Sequence, residues 1–292
     1  MVVIGGGCVG TSACYHLQQR GLSTVLLEAH SLTAGTTWHT AGMLWRLRPS
    51  YVDIELHTYT REIAVKLEEE PGSAWTENGG LFIATNKERL SEYERLGQTG
   101  EYYGIESTIA APSEIGAIHP LINVEDVYGA LYSPTDGTLD PAGLVTAYSR
   151  GAKRLGARVF EGVRVSGIDC EEYVAADGGA AKRVRAVRTE CGQLVKTAHI
   201  VNACGAWAGA ISGMAGAPLP LLAMKHAYVV TEALEGMHGA LPNVRDHDLS
   251  IYLKAQGNAM AIGGYEKNPE FWDTPSPVRA SKGVAACAPD GG

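Results

Sequence analysis

The opening stretch, MVVIGGGCVGTSACYHLQQRGLSTVLLEAH (residues 1–30), predicts a strand, a glycine turn, a helix and a second strand. Val2 to Ile4 is the predicted first strand, and residues 11–20 are the predicted helix, which Gly21 ends. Residues 23–27 are the predicted second strand. This order is typical of an α/β fold, in which a helix connects two parallel strands.

The turn between the first strand and the helix spells G-x-G-x-x-G with Gly5, Gly7 and Gly10, and Glu28 ends the second strand. In a dinucleotide-binding unit the first glycine permits a tight turn, the second lets a pyrophosphate approach the backbone, and the third allows close helix packing. The N-terminus of the helix then presents N–H groups to the phosphates, and a carboxylate like that of Glu28 accepts hydrogen bonds from ribose hydroxyls. The alternative is a glycine-rich turn in an unrelated α/β fold.

Composition limits the classes of function. The chain has 292 residues with a net charge of −8, so it lacks the basic surface typical of a nucleic-acid-binding protein. No apolar run reaches the roughly 18 residues of a membrane span. Its length suits one large domain or two interleaved ones. No C-x-x-C pair is present, so we expect reduced thiols and no metal site from the six cysteines, Cys8, Cys14, Cys170, Cys191, Cys204 and Cys287.

The loop after Glu28 distinguishes between the possible dinucleotides. A nicotinamide enzyme would continue into another helix and strand, whereas this chain enters LTAGTTWHTAGMLWRLRP (residues 32–49). Residues 34–37 and 40–42 are small enough to lie against a flat ligand. The loop therefore favours a flavin, and a plain NAD dehydrogenase is the weakest alternative.

This S/T-x-W-H-x-A-G loop after a β-α-β glycine motif resembles the D-amino-acid-oxidase-like flavoproteins, and among them the sarcosine and dimethylglycine dehydrogenase family. The segment TTWHTAGMLWRLRPS (residues 36–50) is most similar to the sarcosine dehydrogenases. The resemblance implies an FAD cofactor joined covalently through its 8α-methyl carbon to His39, which makes the flavin a stronger electron acceptor. The alternative for His39 is a surface or hydrogen-bonding histidine.

The resemblance also implies a set of cofactor contacts. Val165 is expected to bind the adenine through its backbone, which is compatible with a plain strand valine, and Trp207 is either a flavin contact or a core residue. The expected FAD-binding residues are Gly5, Gly7, Cys8, Val9, Gly10, Glu28, Ala29, Thr33, Gly35, Thr36, Thr37, His39, Thr40, Ala41, Val165, Gly205 and Trp207.

Two residues are expected at the substrate. Residues 221–231 are predicted as a strand that carries His226, and residues 250–266 as a hairpin that carries Tyr252. By resemblance these are the polar, catalytic pair near the substrate amine, and an imidazole is suited to taking a proton from a secondary ammonium. The alternatives are a buried, hydrogen-bonded histidine and a packing tyrosine.

The expected fold is α/β, with a Rossmann-like FAD-binding domain (residues 1–50 and 140–215) interleaved with a mixed-sheet, α+β substrate domain (51–139 and 216–274). The resemblance covers residues 1–274 and implies a flavoprotein domain that is incomplete at its C-terminus. Residues 275–292 lose all periodicity and are predicted to be an atypical, disordered tail.

The implied reaction is oxidative demethylation of an N-methylated glycine, with sarcosine as the first candidate and dimethylglycine as the second. A hydride leaves the N-methyl carbon for the flavin, and electron-transfer flavoprotein is the implied acceptor. Tetrahydrofolate is implied only for a full-length relative. The implied compartment is the mitochondrial matrix, although the chain carries no presequence. Two alternatives stay open, a non-catalytic regulatory paralogue and an inactive truncated fragment.

Overall fold

The computed structural model describes residues 1–69 and 72–272. The predicted tail over 275–292 therefore lies outside the described residues. The helices are α1 (Cys8–Gln19), α2 (Tyr51–Leu67), α3 (Lys87–Tyr102), α4 (Pro112–Ile118), α5 (Pro141–Arg154) and α6 (Ala208–Met214), with 3-10 turns at Thr37–His39 and Gly205–Trp207. The strands are β1 (Val2–Ile4), β2 (Val25–Leu27), β3 (Met43–Leu44), β4 (Trp75–Thr76), β5 (Gly80–Ala84), β6 (Thr108–Ala110), β7 (Gly129–Ser133), β8 (Gly137–Leu139), β9 (Arg158–Phe160), β10 (Val165–Val174), β11 (Ala180–Thr189), β12 (Leu194–Lys196), β13 (Ile200–Asn202), β14 (Ala223–Met224), β15 (Tyr228–Ala233), β16 (Asn243–Asp246), β17 (Ile251–Gln256), β18 (Ala259–Gly264) and β19 (Phe271–Trp272).

The chain forms two compact units. The first unit contains Met1–Thr40 and Pro141–Ala223, together with the described residues from Phe271 onward. The second unit contains Ala41–Asp140 and Met224–Glu270. The chain thus crosses between the units four times. The first three boundaries differ from the predicted ones by ten residues, one residue and eight residues.

The first unit is built on a four-stranded parallel sheet in the order β13-β1-β2-β9. All three residues of β1 and of β2 are buried, as expected for parallel strands covered on both faces. Val3 pairs with Leu26 on one side and with Val201 on the other, so β1 lies where the strand order reverses. This sheet confirms the α/β fold class, and it places the end of β1 at the position where open α/β sheets bind ligands.

Helix α1 begins at Cys8, three residues earlier than the sequence predicted. The prediction excluded Gly10 from the helix because glycine disfavours helical backbone. The structure shows why glycine stands there: a Cβ on Gly10 would collide with the carbonyl oxygen of Gly5. Gly5 itself has a φ of +109°, which disfavours any other residue.

The second unit contains a seven-stranded mixed sheet in the order β15-β18-β17-β16-β5-β7-β6. Only β16 and β5 run parallel to each other; the other pairs are antiparallel. One face carries Leu81 and Val244 and packs on α4 through Ile115. The opposite face carries Phe82, Arg245 and Tyr252, which neighbour one another in register. We call it the Tyr252 face.

Two predictions for the substrate-side strands have different outcomes. The hairpin predicted over residues 250–266 is confirmed as β17 and β18. The single strand predicted over 221–231 is wrong, because it divides into β14 and β15 and leaves His226 between them. The ladder with β15 ends near Tyr228, since its partner strand β18 ends at Gly264.

A buried ion pair holds the loop that follows the first crossing between units. The Nε atom of Arg46 lies 3.1 Å from Oδ1 of Asp136, and both side chains are almost fully buried. The backbone N–H of Arg46 also donates to Oδ1 of Asp136, and its guanidinium donates to the hydroxyl of Thr135. Burial raises the pKa of Asp136 to about 6, although its contacts with Arg46 lower it. The carboxylate is therefore ionised at neutral pH at a desolvation cost that Arg46 offsets most and the more distant Arg61 offsets further.

Replacement of Asp136 by alanine should leave the Arg46 charge buried without its partner. We expect the free energy of unfolding to fall by about 3–5 kcal/mol, measured by urea denaturation at neutral pH. The control is Glu92→Ala, which removes one exposed partner of Arg89 and leaves the other, Asp248, in place. That change should cost less than about 1 kcal/mol. Equal losses in the two variants would contradict the importance assigned to the buried pair.

Candidate functional site

The glycine loop between β1 and α1 forms a cradle without side chains. Gly7 precedes the helix in an extended conformation and provides no side-chain cap. A Cβ on Gly5 would collide with the carbonyl of Ala203, whose own N–H donates to the Ile4 carbonyl at 2.8 Å. The first N–H groups of a helix have no partner within the helix. The end of β1 therefore brings the first N–H groups of α1 into the crevice between two diverging connections.

Glu28 lies beside this loop, at the end of β2. Its carboxylate accepts hydrogen bonds from the N–H of Gly6 at 2.6 Å and from the N–H of His30 at 2.8 Å. Its backbone carbonyl accepts from Val163 at 2.8 Å, which joins it to the segment that enters β10. These hydrogen bonds hold the carboxylate of Glu28, the predicted acceptor for the ribose hydroxyls, beside the glycine loop.

The loop after β2 folds back over the glycine turn. The N–H of Thr33 donates to the Gly6 carbonyl at 3.1 Å, and the N–H of Cys8 donates to the Thr37 hydroxyl at 3.1 Å. A Cβ on Gly7 would lie 2.9 Å from that hydroxyl. Three segments that are separate in the sequence therefore converge on the N-terminus of α1. Only the glycine motif and Glu28 could be placed there from their spacing; the hydrogen bond from Cys8 to Thr37 has no sequence signal.

His39 ends a 3-10 turn, and its imidazole is exposed. The indole of Trp38 stacks on it, with ring centroids 3.7 Å apart and an angle of 32° between the planes. Trp38 is itself 56% exposed, so packing in the core does not explain its position. The stacked pair fixes the orientation of an imidazole that a ligand can reach.

Trp207 covers the loop at Gly35, where a Cβ would lie 3.3 Å from the indole ring. Its Nε1 atom is buried, and no acceptor for it exists among the described residues. The ring also meets Trp272 edge-on, with centroids 5.8 Å apart. Trp207 therefore combines packing with a free hydrogen-bond donor, so its two alternative interpretations are compatible.

The other expected cofactor residues occupy varied surroundings. Val165 is buried at the start of β10, whereas Val9, on the first turn of α1, is 72% exposed. Gly205 is exposed and has a φ of +52°. Ala29, Thr36 and Thr40 flank the residues already described in the first unit, and Ala41 is the first residue of the second unit.

The donor set suits an anionic dinucleotide. Burial raises the pKa of the Cys8 thiol, and burial together with Glu28 raises the pKa of Cys204 to about 12. Both thiols therefore stay neutral beside the cradle and add no negative charge that would repel a phosphate. Bare backbone donors, a ribose acceptor and the unpartnered indole N–H of Trp207 together fit FAD.

Residues 1–69 and 72–272 contain neither a metal-binding cluster nor a membrane-spanning helix. Nowhere in these ranges do three or more histidine, cysteine or acidic side chains gather as a metal would require. None of the helices in the same ranges is both long enough and apolar enough to span a bilayer.

On the substrate side, His226 is exposed and pairs with a carboxylate that the sequence analysis missed. Its Nδ1 lies 3.1 Å from Oε2 of Glu266, and its ring meets that of Tyr265 edge-on with centroids 5.0 Å apart. A backbone N–H lowers the pKa of Glu266, and the hydrogen bond with His226 lowers it further. Glu266 stands 40 residues away in sequence, so only the tertiary fold reveals the pair.

Tyr252 lies on β17 opposite Gly263 of β18, and its ring occupies the space that a Cβ on Gly263 would need. Burial raises the pKa of Tyr252, and the neighbouring Tyr265 and Tyr228 raise it further. The phenol is therefore protonated at neutral pH and suited to donate a hydrogen bond rather than to accept a proton. No hydrogen bond joins Tyr252 to His226 among the described residues. Tyr265 interacts with both, because its ring meets that of His226 edge-on and it raises the pKa of Tyr252.

Comparison with known proteins identifies the family. A family model described as FAD dependent oxidoreductase matches residues 1–287. Mitochondrial sarcosine dehydrogenase of Mus musculus is 52% identical over 94% of this chain, which spans 30% of that protein. Mitochondrial dimethylglycine dehydrogenase of Homo sapiens is 34% identical over 92% of this chain, which spans 31% of that protein.

Among solved structures, L-proline dehydrogenase from P. horikoshii superposes with a TM-score of 0.78 at 28% identity, over 92% of this chain and 70% of that one. The superposition extends the agreement from the motifs around the glycine loop to most of the fold. Together with the family model, it shows that this chain belongs to the FAD dependent oxidoreductase family.

Proposed function

We propose that this chain provides the cofactor-binding and substrate-binding residues of an enzyme that oxidises the N-methyl group of an N-methylated glycine, with sarcosine as the first substrate and dimethylglycine as the second. The observation that carries the proposal is the convergence of Glu28, Thr37 and the glycine loop on the N-terminus of α1. Similarity to sarcosine dehydrogenase supports the choice of substrate. Because the chain spans about 30% of that relative, the activity of the whole protein is part of the proposal.

FAD would be held by four kinds of contact in the first unit. The glycine loop and the α1 N–H groups would bind the pyrophosphate, and Glu28 would accept from the ribose. Val165 would contact the adenine through its backbone, while Trp207 would offer its indole N–H. When bound, the isoalloxazine supplies the hydride-accepting centre that no amino-acid side chain provides.

His39 would join the flavin covalently. The bond would join an imidazole nitrogen of His39 to the 8α-methyl carbon in place of one N–H and one C–H bond, and the two hydrogens would pass to an external oxidant such as dioxygen. The exposed imidazole stacked on Trp38 supports this role, because its ring is oriented without being enclosed.

The substrate is oxidised as a neutral amine, since the nitrogen lone pair stabilises the cation that forms when hydride leaves the methyl carbon. His226, oriented by Glu266, would take the ammonium proton, and Tyr252 would donate a hydrogen bond. Water then adds to the iminium carbon, and cleavage of the C–N bond gives glycine and formaldehyde. In a protein with a folate-binding region, tetrahydrofolate would accept the carbon instead.

The proposed electron acceptor is electron-transfer flavoprotein, and the proposed compartment is the mitochondrial matrix. The compartment is supported by the mitochondrial names of both dehydrogenase relatives. A non-catalytic regulatory role on the same fold is the alternative, and it would require neither the His39 bond nor turnover of an N-methylglycine.

Binding of FAD should stabilise the chain. Prepared without flavin, the protein should show a higher melting temperature with FAD and an unchanged one with NAD at the same concentration. A ligand at 100 times its Kd adds about 2.7 kcal/mol of stability, which differential scanning fluorimetry detects. No shift with FAD would favour an inactive fragment, and a shift with NAD alone would contradict the flavin assignment.

The covalent bond can be tested on denatured protein. The wild-type band on a denaturing gel should fluoresce yellow-green under ultraviolet light, and the band of His39→Ala should be dark because the attacking nitrogen is gone. His199→Ala is the matched control, since His199 is another exposed histidine of the first unit. A fluorescent His39→Ala band would refute the assignment. A dark wild-type band in a protein that binds FAD and turns over no N-methylglycine would favour the regulatory role.

The donor role of Tyr252 predicts a loss of rate without a loss of fold. Tyr252→Phe should lower kcat/KM for sarcosine by roughly 2- to 10-fold, the worth of one hydrogen bond between neutral groups. Tyr128→Phe, at an exposed position of the same unit, should leave it unchanged. Steady-state kinetics with an artificial electron acceptor measures both. Full activity in Tyr252→Phe would make Tyr252 a packing residue.

A further inference from the structure

Lys254 lies on the same strand and the same face as Tyr252. Strand β17 pairs with β18 without a bulge from Ile251 to Gln256, so its side chains alternate regularly between the two faces. Lys254 follows Tyr252 by two residues and therefore shares the Tyr252 face. Across the ladder it meets only Ala261, whose small side chain leaves the space above the strand open.

Unlike several cations of the second unit, Lys254 is half-buried and forms no ion pair among the described residues. Arg46 pairs with Asp136, Arg89 with Asp248 and Lys225 with Glu270, in each case within 3.1 Å. Among residues 1–69 and 72–272, by contrast, neither an ion pair nor a hydrogen bond reaches the Lys254 ammonium. Burial lowers the pKa of Lys254. The charge of exposed Asp140 raises it, but only as an electrostatic effect without a direct contact. A half-buried ammonium without a counter-ion is costly in the protein alone.

Among the described residues, the surroundings of Lys254 supply a hydrogen-bond acceptor but no anion in direct contact with it. Asn243 precedes Val244 and so stands opposite Lys254 in the register of β16 and β17. Its side chain is fully buried; its amide N–H₂ donates to the Gly137 carbonyl and the Thr138 hydroxyl, while its amide oxygen meets no donor. The amide oxygen of Asn243 can therefore accept one N–H of the Lys254 ammonium, which leaves the other N–H groups for a ligand.

We propose that Lys254 binds the carboxylate of the substrate. This inference rests on the proposed function and adds to it the group that would distinguish an N-methylated amino acid from an uncharged N-methylamine. Two residues along a strand span about 6.7 Å. A substrate a few ångströms long can therefore place its amine near Tyr252 while its carboxylate meets the flexible Lys254 side chain.

Arg245 is the competing cation on this face. It stands directly opposite Tyr252, but its guanidinium lies over the ring of Tyr265, 5.0 Å from the centroid. That stacking already occupies one face of the guanidinium, whereas the Lys254 ammonium has no ion pair or hydrogen bond within residues 1–69 and 72–272. The variant Arg245→Met therefore distinguishes the two cations, because only loss of the cation that binds the carboxylate should remove the preference for sarcosine.

The experiment compares sarcosine with sarcosinamide, which replaces the carboxylate by a neutral amide, on the FAD-loaded full chain. Lys254→Met should lower kcat/KM for sarcosine by roughly 10- to 100-fold, mostly through KM, because a charge-assisted hydrogen bond is lost. The value for sarcosinamide should change less than about twofold. Lys254→Arg should recover part of the preference for sarcosine, and Lys66→Met, at an exposed lysine of α2, should keep all of it.

A second readout does not depend on turnover. Acetate should raise the melting temperature of the wild-type holoenzyme and of Lys66→Met but not that of Lys254→Met. A wild-type enzyme that oxidises both compounds equally, or a Lys254→Met variant that keeps its preference, would overturn the inference while the proposed function stands. Loss of preference in Arg245→Met alone would assign the carboxylate to Arg245. A wild-type enzyme that oxidises neither compound would instead refute the proposed function, and the inference with it.

Discussion

The contact between Gly10 and the carbonyl of Gly5 is the constraint on which the first unit depends. Because no atom larger than hydrogen fits between them, helix α1 begins directly on the turn that ends β1. This close approach brings the first N–H groups of the helix to the edge of the sheet, where Glu28 and Thr37 meet the same loop. A side chain at either glycine would separate the helix from the turn and remove the cradle.

A different constraint orders the second unit. The register of β16, β17 and β18 decides which polar side chains share a face, because a shift of one residue would move every one of them to the opposite side. Gly263 lets the Tyr252 ring lie across β18, and Arg245 and Lys254 flank that ring on the same face. The opposite face is apolar and packs on α4. The Tyr252 face combines these polar side chains with the core cluster around Phe82, whereas the opposite face serves core packing.

The sequence predicted what local pattern controls. The glycine triplet, Glu28 and the β17–β18 hairpin could be identified because each signal lies within about 30 residues of chain. The start of α1 was misjudged because propensity excludes a glycine that packing requires. His226 was assigned to a strand because its neighbours are apolar, yet the ladder ends where β18 ends. Glu266 and Lys254 were missed because their surroundings exist only once distant segments pair.

The arrangement of ionisable groups also separates the proton-transfer roles. Burial raises the pKa of Tyr252, so the phenol is protonated at neutral pH and available as a hydrogen-bond donor. In the role proposed for it, His226 would pass the amine proton to solvent, because its imidazole is exposed and hydrogen-bonded to Glu266. Exchange of the two roles would require a buried phenolate beside Tyr228 and Tyr265, in surroundings that disfavour negative charge. Residue type and burial thus act in the same direction at Tyr252, because a phenol is already protonated at neutral pH and its surroundings disfavour the phenolate further.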